Sequence, residues 1–324
     1  MNRRNFTLSA CAGLFAFSAA RAAETWPTKP VKLIVPFAAG SSPDTLSRVF
    51  GNELGQILGQ PIVIDNRPGA NGITGTIAGL SSPADGYTII SINVGTLAIN
   101  PALFPKQKYD PLLDLVPIAL TASTANVLVV RPNLPTKTIQ EFIAYAKANP
   151  GKLSMGSSGT GTTGHLSGEL FKEMTGIDAV HVPYKGSSAA YADLIAGRVD
   201  FMFDNLISVG PYAKDGRVRV LAVTASQRAE LLPDVPTLQE AGLKGYETVS
   251  WSGIAVPKGT PQPVVQTLKK AVARANVAPP NIEFYRQSGA KALPPMSDEQ
   301  FVSFVKAEQE KWAALVRKSG AANS

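Results

Sequence analysis

Two small-residue loops, one in each half of the chain, carry the strongest chemical signal in this sequence. In the first, the β-rich run 31–35 leads into Pro36-Phe37-Ala38-Ala39-Gly40-Ser41-Ser42-Pro43-Asp44, with Ser42 expected as N-cap and Pro43 at the first helical position. In the second, Leu153-Ser154-Met155 leads into a run from Gly156 to His165, after which Leu166, Leu170 and Met174 recur at helical spacing. A loop that opens a helix in this way leaves backbone N–H groups unpaired at the positive end of the helix dipole, so it can hold an anion without Lys or Arg. Neither residues 37–42 nor 157–163 contain a basic side chain. One such loop alone reads equally well as an ordinary tight βα turn. Two matched loops in separate halves favour anion sites that converge on one small molecule.

Other chemistries fail on a missing partner. Gly159-x-Gly161-x-x-Gly164 matches the dinucleotide fingerprint, but the carboxylate that should hold a ribose about 20 residues later is replaced by Tyr184 and Lys185. No G-x-x-x-x-G-K-[ST] run exists, and Lys185-Gly186-Ser187 has the order reversed. There is no G-x-S-x-G either, which leaves a serine hydrolase without its nucleophile turn. The chain has two histidines. His181 alternates with Val180 and Val182 and is expected to be structural or exposed, whereas His165, in the first turn below the second loop, could face a ligand or cap the helix. Without paired cysteines or spaced carboxylates they do not form a metal site. No catalytic residue, metal or cofactor is expected.

The elements that must hold these loops alternate strand and helix. Strands are expected at 31–35, 62–64, 87–92, 127–130, 153–155, 180–182, 199–203, 218–223 and 249–256, with helical patterns at 139–148, 166–174 and 189–195 and two more near 264–275 and 301–316. This order predicts α/β layers with largely parallel sheets. Charged residues make up 17% of the chain and the hydrophobic set 44%, enough apolar material for a packed core and against a disordered chain. Past residue 23 no apolar run reaches the ~18 residues of a membrane span.

The N-terminus reads as an export signal. Arg3 and Arg4 give a positive start, residues 8–20 an apolar stretch, and Ala20-Arg21-Ala22 a small-x-small cleavage signal, so residues 1–23 are expected to be removed. The Arg pair also resembles a twin-arginine signal. Cys11 has too little apolar length before it for a lipoprotein box, and its loss leaves a mature chain without cysteine. Such a chain suggests the bacterial periplasm. Setting aside Arg3, Arg4 and Arg21 lowers the net charge from +7 to +4, with no basic cluster or interleaved aromatics. A nucleic-acid partner is therefore not expected.

Several segments resemble the Bug family, the periplasmic substrate-binding proteins of tripartite tricarboxylate transporters. They are Val35-Pro36-Phe37-Ala38-Ala39-Gly40 with Asp44 and Arg48, Asp65-Asn66-Arg67-Pro68-Gly69-Ala70, Asp85-Gly86-Tyr87-Thr88, His181-Val182-Pro183-Tyr184-Lys185-Gly186, Asp234-Val235-Pro236-Thr237 and Trp251-Ser252-Gly253. One departure is Ser41-Ser42, where the family often has a second glycine and a variable residue. The resemblance implies a two-lobed, type II-like periplasmic binding protein, each lobe a mainly parallel sheet flanked by helices, with two crossover strands as hinge. It implies lobes of residues 24–122 plus 249–324 and of 123–248, closing on a small organic carboxylate. The ligand would be gripped by backbone N–H groups, hydroxyls and water. Candidate contacts are Phe37, Ala39, Gly40, Ser41 and Ser91 on the first lobe and Ser157, Gly159, Thr160, Gly161, Thr162 and His165 on the second. Asp204 is either a ligand acceptor or internal to its lobe, and Trp251 either cleft wall or hinge packing. Implied partners are the membrane subunits of such a transporter or a sensor protein, with the receptor a monomer. A periplasmic enzyme acting on a small carboxylate is the alternative class.

Overall fold

Short runs rich in aliphatic residues set most of the strands, and glycines in the left-handed conformation close helices at Gly59, Gly176 and Gly289. The computed structural model describes residues 26–319 and 321, so the expected export signal lies outside the described residues. The chain begins with β1 (Val31–Val35), α1 (Ser42–Leu58) and β2 (Ile62–Asn66). In α1, Leu46, Phe50 and Leu54 recur every fourth residue and are buried, and Gly59 ends the helix at φ 70° with its N–H bonded to Gly55 O. The N-cap is Ser41, one residue before the expected Ser42. A 3₁₀ turn (Ala70–Gly72), α2 (Ile73–Leu80), β3 (Thr88–Asn93), a π-helical turn (Gly95–Ile99) and α3 (Asn100–Leu103) follow. All six residues of β3 are buried, as suits a central strand covered on both faces.

The middle of the chain contains β4 (Leu115–Val130), α4 (Ile139–Ala148), β5 (Leu153–Ser157), α5 (Thr163–Thr175), β6 (Ala179–Pro183), α6 (Ser187–Ile195), β7 (Phe201–Asn205), α7 (Leu206–Lys214) and β8 (Arg219–Val223). It ends with β9 (Val249–Pro257), α8 (Gln262–Asn276), α9 (Pro279–Ser288), β10 (Ala290–Ala292) and α10 (Asp298–Ser319). The strands are ordered β2-β1-β3-β9-β4-β7-β5-β6, with β8 and β10 also paired to β4. Two parallel triplets, β2-β1-β3 and β6-β5-β7, flank an antiparallel centre.

The 16-residue β4 belongs to both halves. From Leu115 to Ala125 it pairs with β9, and from Asn126 to Val130 with β7 and β8. Register shifts near Pro117 and Leu120 bend it along the way. Separate apolar cores result. Val31, Leu33, Phe50, Ile89, Ile254 and Leu268 pack in the first half, and Leu128, Phe142, Met155, Phe171, Phe201 and Tyr246 in the second. A third cluster joins them, because Leu166 of α5 packs with Trp251, Trp312 and Leu315. Trp251 is buried in this cluster: its Nε1 donates to Glu308 Oε2 (2.8 Å), which also accepts from Trp312 Nε1 (3.0 Å).

Candidate functional site

The loop after β1 is shaped by one buried carboxylate. Asp44, in the first turn of α1, accepts from Gly40 N–H (2.8 Å) and Arg48 Nε (3.0 Å) through Oδ2 and from Asn66 Nδ2 (2.8 Å) through Oδ1. Burial alone would raise its pKa, but the bonds from Arg48, Gly40 and Asn66 hold it below 3.8. Asn66 Nδ2 also reaches Phe37 O (3.0 Å), and Ser41 Oγ donates to Ala38 O (2.7 Å). The turn requires φ 79° at Gly40, a left-handed conformation that favours glycine.

The loop after β5 rests on two histidines. His165 and His181 stack with ring centroids 3.8 Å apart. Gly161 N–H donates to His165 Nδ1 (3.1 Å), and Gly159 N–H to Ser157 Oγ (3.2 Å), which lies 2.7 Å from His181 Nε2. An Nδ1 that accepts must carry no proton, so His165 is neutral with its proton on Nε2. Burial, then the His181 and Lys172 charges, push its pKa down to about 3; burial, then Lys172, push that of His181 down to about 4. Ser157 and His181 are within nucleophile–base distance, but Ser157 is 0% exposed and cannot reach a substrate.

Between these loops lies a cavity of about 550 Å³. Its walls come from residues 36–38 and 41–43, the 68–72 turn, 93–95 with Phe104, 158–160 with 162–163, 184–187, 204–205 and Ser250. Five helices of eight residues or more open onto it: α1 at Ser41–Pro43, α2 at its N-cap Gly72, α5 at Thr162 and Thr163, α6 at Gly186 and Ser187, and α7 at its N-cap Asn205. Their N-terminal dipoles sum to a positive field supplied by backbone N–H groups. Among the lining residues only Lys185 and Asp204 are charged. Asp204 is 3% exposed. Its Oδ1 accepts from Asn205 N–H (2.9 Å), while Oδ2 has no hydrogen-bond partner. Burial pushes its pKa up to about 6, although the nearby Ser187 and Tyr191 hydroxyls and the Asn205 N–H favour the ionised form.

The two halves touch across the mouth. Asn71, held at φ 48° and ψ 38°, donates through Nδ2 to Gly161 O (3.0 Å) and to Asn100 Oδ1 (2.9 Å), and Asn100 Nδ2 returns a bond to Asn71 O (3.0 Å). Leu103 covers Gly161 so closely that a Cβ there would lie 1.9 Å from Leu103 Cδ2.

A cavity fed by helix N-termini between two half-sheets is the geometry of a solute receptor, and comparison with known proteins agrees. Residues 46–321 match the family model described as tripartite tricarboxylate transporter family receptor. This chain belongs to that receptor family. It is 35% identical over 319 residues to Protein BugT of Bordetella pertussis, covering 97% of this chain and 98% of that protein. It resembles the structure described as R. palustris Rpa4515 with adipate, at 39% identity and TM-score 0.87, covering 91% and 98% of the two chains. It also resembles MatC (Rpa3494) from Rhodopseudomonas palustris with bound malate, at 33% identity and TM-score 0.83, covering 90% and 99%.

Within the receptor, Phe37, Ser41, Gly159, Thr160, Thr162 and Asp204 line the cavity. Ala39 and Gly40 are exposed. Ser91 is buried 3.3 Å from the Ser47 hydroxyl, and Ser157, Gly161 and His165 lie beneath the second loop, supporting it. None of these last six is a wall residue. His165 has a structural task, since its Nδ1 holds Gly161 N–H. The sequence reading did not single out the walls at 68–72, 93–95, 184–187 and Asn205. Two of them lay within reach: residues 65–70 and 181–186 were already quoted for the resemblance and flank a turn and a helix start.

Proposed function

We propose that this receptor captures a small organic carboxylate between two lobes in the periplasm and presents it to the membrane subunits of a tripartite tricarboxylate transporter or to a sensor. The observation that carries this reading is the cavity itself: five helix N-termini face a space with one lysine and one carboxylate in its walls. Such a field compensates carboxylate charge without a salt bridge, and the hydroxyls of Ser41, Ser42, Thr160 and Thr162 lie in the same walls. The lobes comprise residues 24–122 plus 249–324 and 123–248. The change of β4 partner between Ala125 and Asn126, and the return of the chain into β9 at Val249, support a hinge at those positions. Adipate and malate, the ligands named for two related structures, are both carboxylates. Removal of residues 1–23 on export and a monomeric receptor complete the reading.

The test is a thermal-shift and calorimetric screen in which each carboxylic acid is paired with its neutral amide. At about 100 times the dissociation constant the acid stabilises the folded state by about 2.7 kcal/mol, and the amide loses most of that shift because its NH₂ meets donors that need an acceptor. Equal shifts for acid and amide overturn the proposal. Turnover of a bound acid, followed by mass spectrometry, would overturn the assignment to a receptor.

A further inference from the structure

We infer that the preferred ligand is a carboxylate with an apolar body, an aromatic ring or an alkyl chain of about six carbons or more, and not a compact hydroxy- or tricarboxylate. This rests on the carboxylate reading above and narrows it. The cavity of about 550 Å³ lies within the size range of sites for ligands larger than a four-carbon acid. The wall surface facing it is mostly carbon, contributed by Pro36, Phe37, Pro43, Pro68, Val94 and Phe104. A compact acid would leave that surface against trapped water, whereas an apolar body covers it and gains affinity with every carbon buried.

Charge balance points the same way. Each helix N-terminus supplies about half a positive charge, and ionised Asp204 takes up part of their sum, so the carboxylates of a polyanion outrun what the N-termini can balance. The charged wall residues are Lys185, exposed, and Asp204, buried and ionisable. Asp204 opposes a second negative charge in the interior, so a polyanion such as a tricarboxylate would meet one cation and one repulsive group. A ligand with one carboxylate head and a carbon body meets neither problem.

The wild-type receptor is titrated calorimetrically with benzoate, phenylacetate and octanoate in one arm and malate, tartrate and citrate in the other. The expected result is that at least one apolar acid binds tenfold or more tightly than each of the compact acids. Malate, tartrate or citrate binding as tightly as the best apolar acid overturns the inference while leaving the carboxylate reading intact. If none of the six binds, the carboxylate reading falls and the inference with it. Phe104→Ser is expected to weaken the best apolar acid about tenfold while Phe104→Leu retains it. An unchanged affinity in a folded Phe104→Ser variant counts against a role for the carbon wall.

Discussion

Buried Asp204 and the His165–His181 stack set opposite pH dependences. Asp204 titrates near 6 in the fold against 3.8 in an unfolded chain, so between those values the folded state binds the extra proton and stability falls as pH rises. That difference corresponds to about 3 kcal/mol. The stability of Asp204→Asn minus that of wild type should therefore grow by up to this amount from pH 4 to pH 7 in urea unfolding; a flat difference excludes the buried charge as the cause. His165 titrates near 3 against 6.5, so there the unfolded state binds the proton and stability is lost as pH falls below about 6.5. His165→Gln minus wild type should rise towards acid pH, by about 3 kcal/mol at pH 4. Gly161 adds a steric prediction. Its φ of 78° and its contact with Leu103 mean that Gly161→Ala should weaken ligand tenfold or more, and Leu103→Ala should restore part of the loss in the double variant. Additive effects would separate the two sites. That the Gly161 N–H is given to His165 was not legible in the sequence, because the histidine partner follows from how the first turn of α5 folds back under the loop.

At the scale of elements, the first loop depends on Asp44. Asp44→Ala leaves Gly40 N–H and Asn66 Nδ2 without that acceptor and is expected to cost about 2 kcal/mol in chemical unfolding, with a weaker ligand affinity. Asp44→Asn should recover part of the affinity, and unchanged binding in both would show that the loop holds its shape without this carboxylate. The loops after β1 and β5 were legible because small residues between an aliphatic run and an amphipathic helix have few other uses. The first three-quarters of β4, before Val127, was not. Pro117 and the polar stretch from Thr121 to Asn126 interrupt its apolar run, and only pairing with β9 makes that stretch a strand. Two glycines within α2, Pro211 inside α7 and the paired prolines opening α9 hid those helices in the same way. The walls at 68–72 and 184–187 overlap segments that carried the resemblance but were given no part in the site, since only the folded chain brings them to the cavity.

For the whole molecule, the mouth is closed by Asn71 without any ionic contact at that point. The Asn71→Ala variant loses the bond to Gly161 O, expected at about 1 kcal/mol, which is about fivefold in the closed-to-open ratio. Small-angle scattering should give the ligand-free variant a larger radius of gyration than wild type, and saturating ligand should bring both to one compact value. Identical ligand-free radii would show that the Asn71 bridge does not control closure.

Ala125 of β4 and Val249 of β9 are direct partners in the antiparallel ladder, so on the proposed lobe division the chain leaves for its second lobe and returns at neighbouring points. Topologically the stretch between them is an insertion into a finished host, with both splice points side by side. Receptors built on this plan can therefore exchange the inserted piece as a cassette. A chimera joined at 125 and 249 would keep one relative's α1 loop and take its partner's α5, α6 and α7 starts, recombining half a pocket at a time. Ligand choice could then diversify by shuffling at two adjacent seams while the host surface stays unaltered.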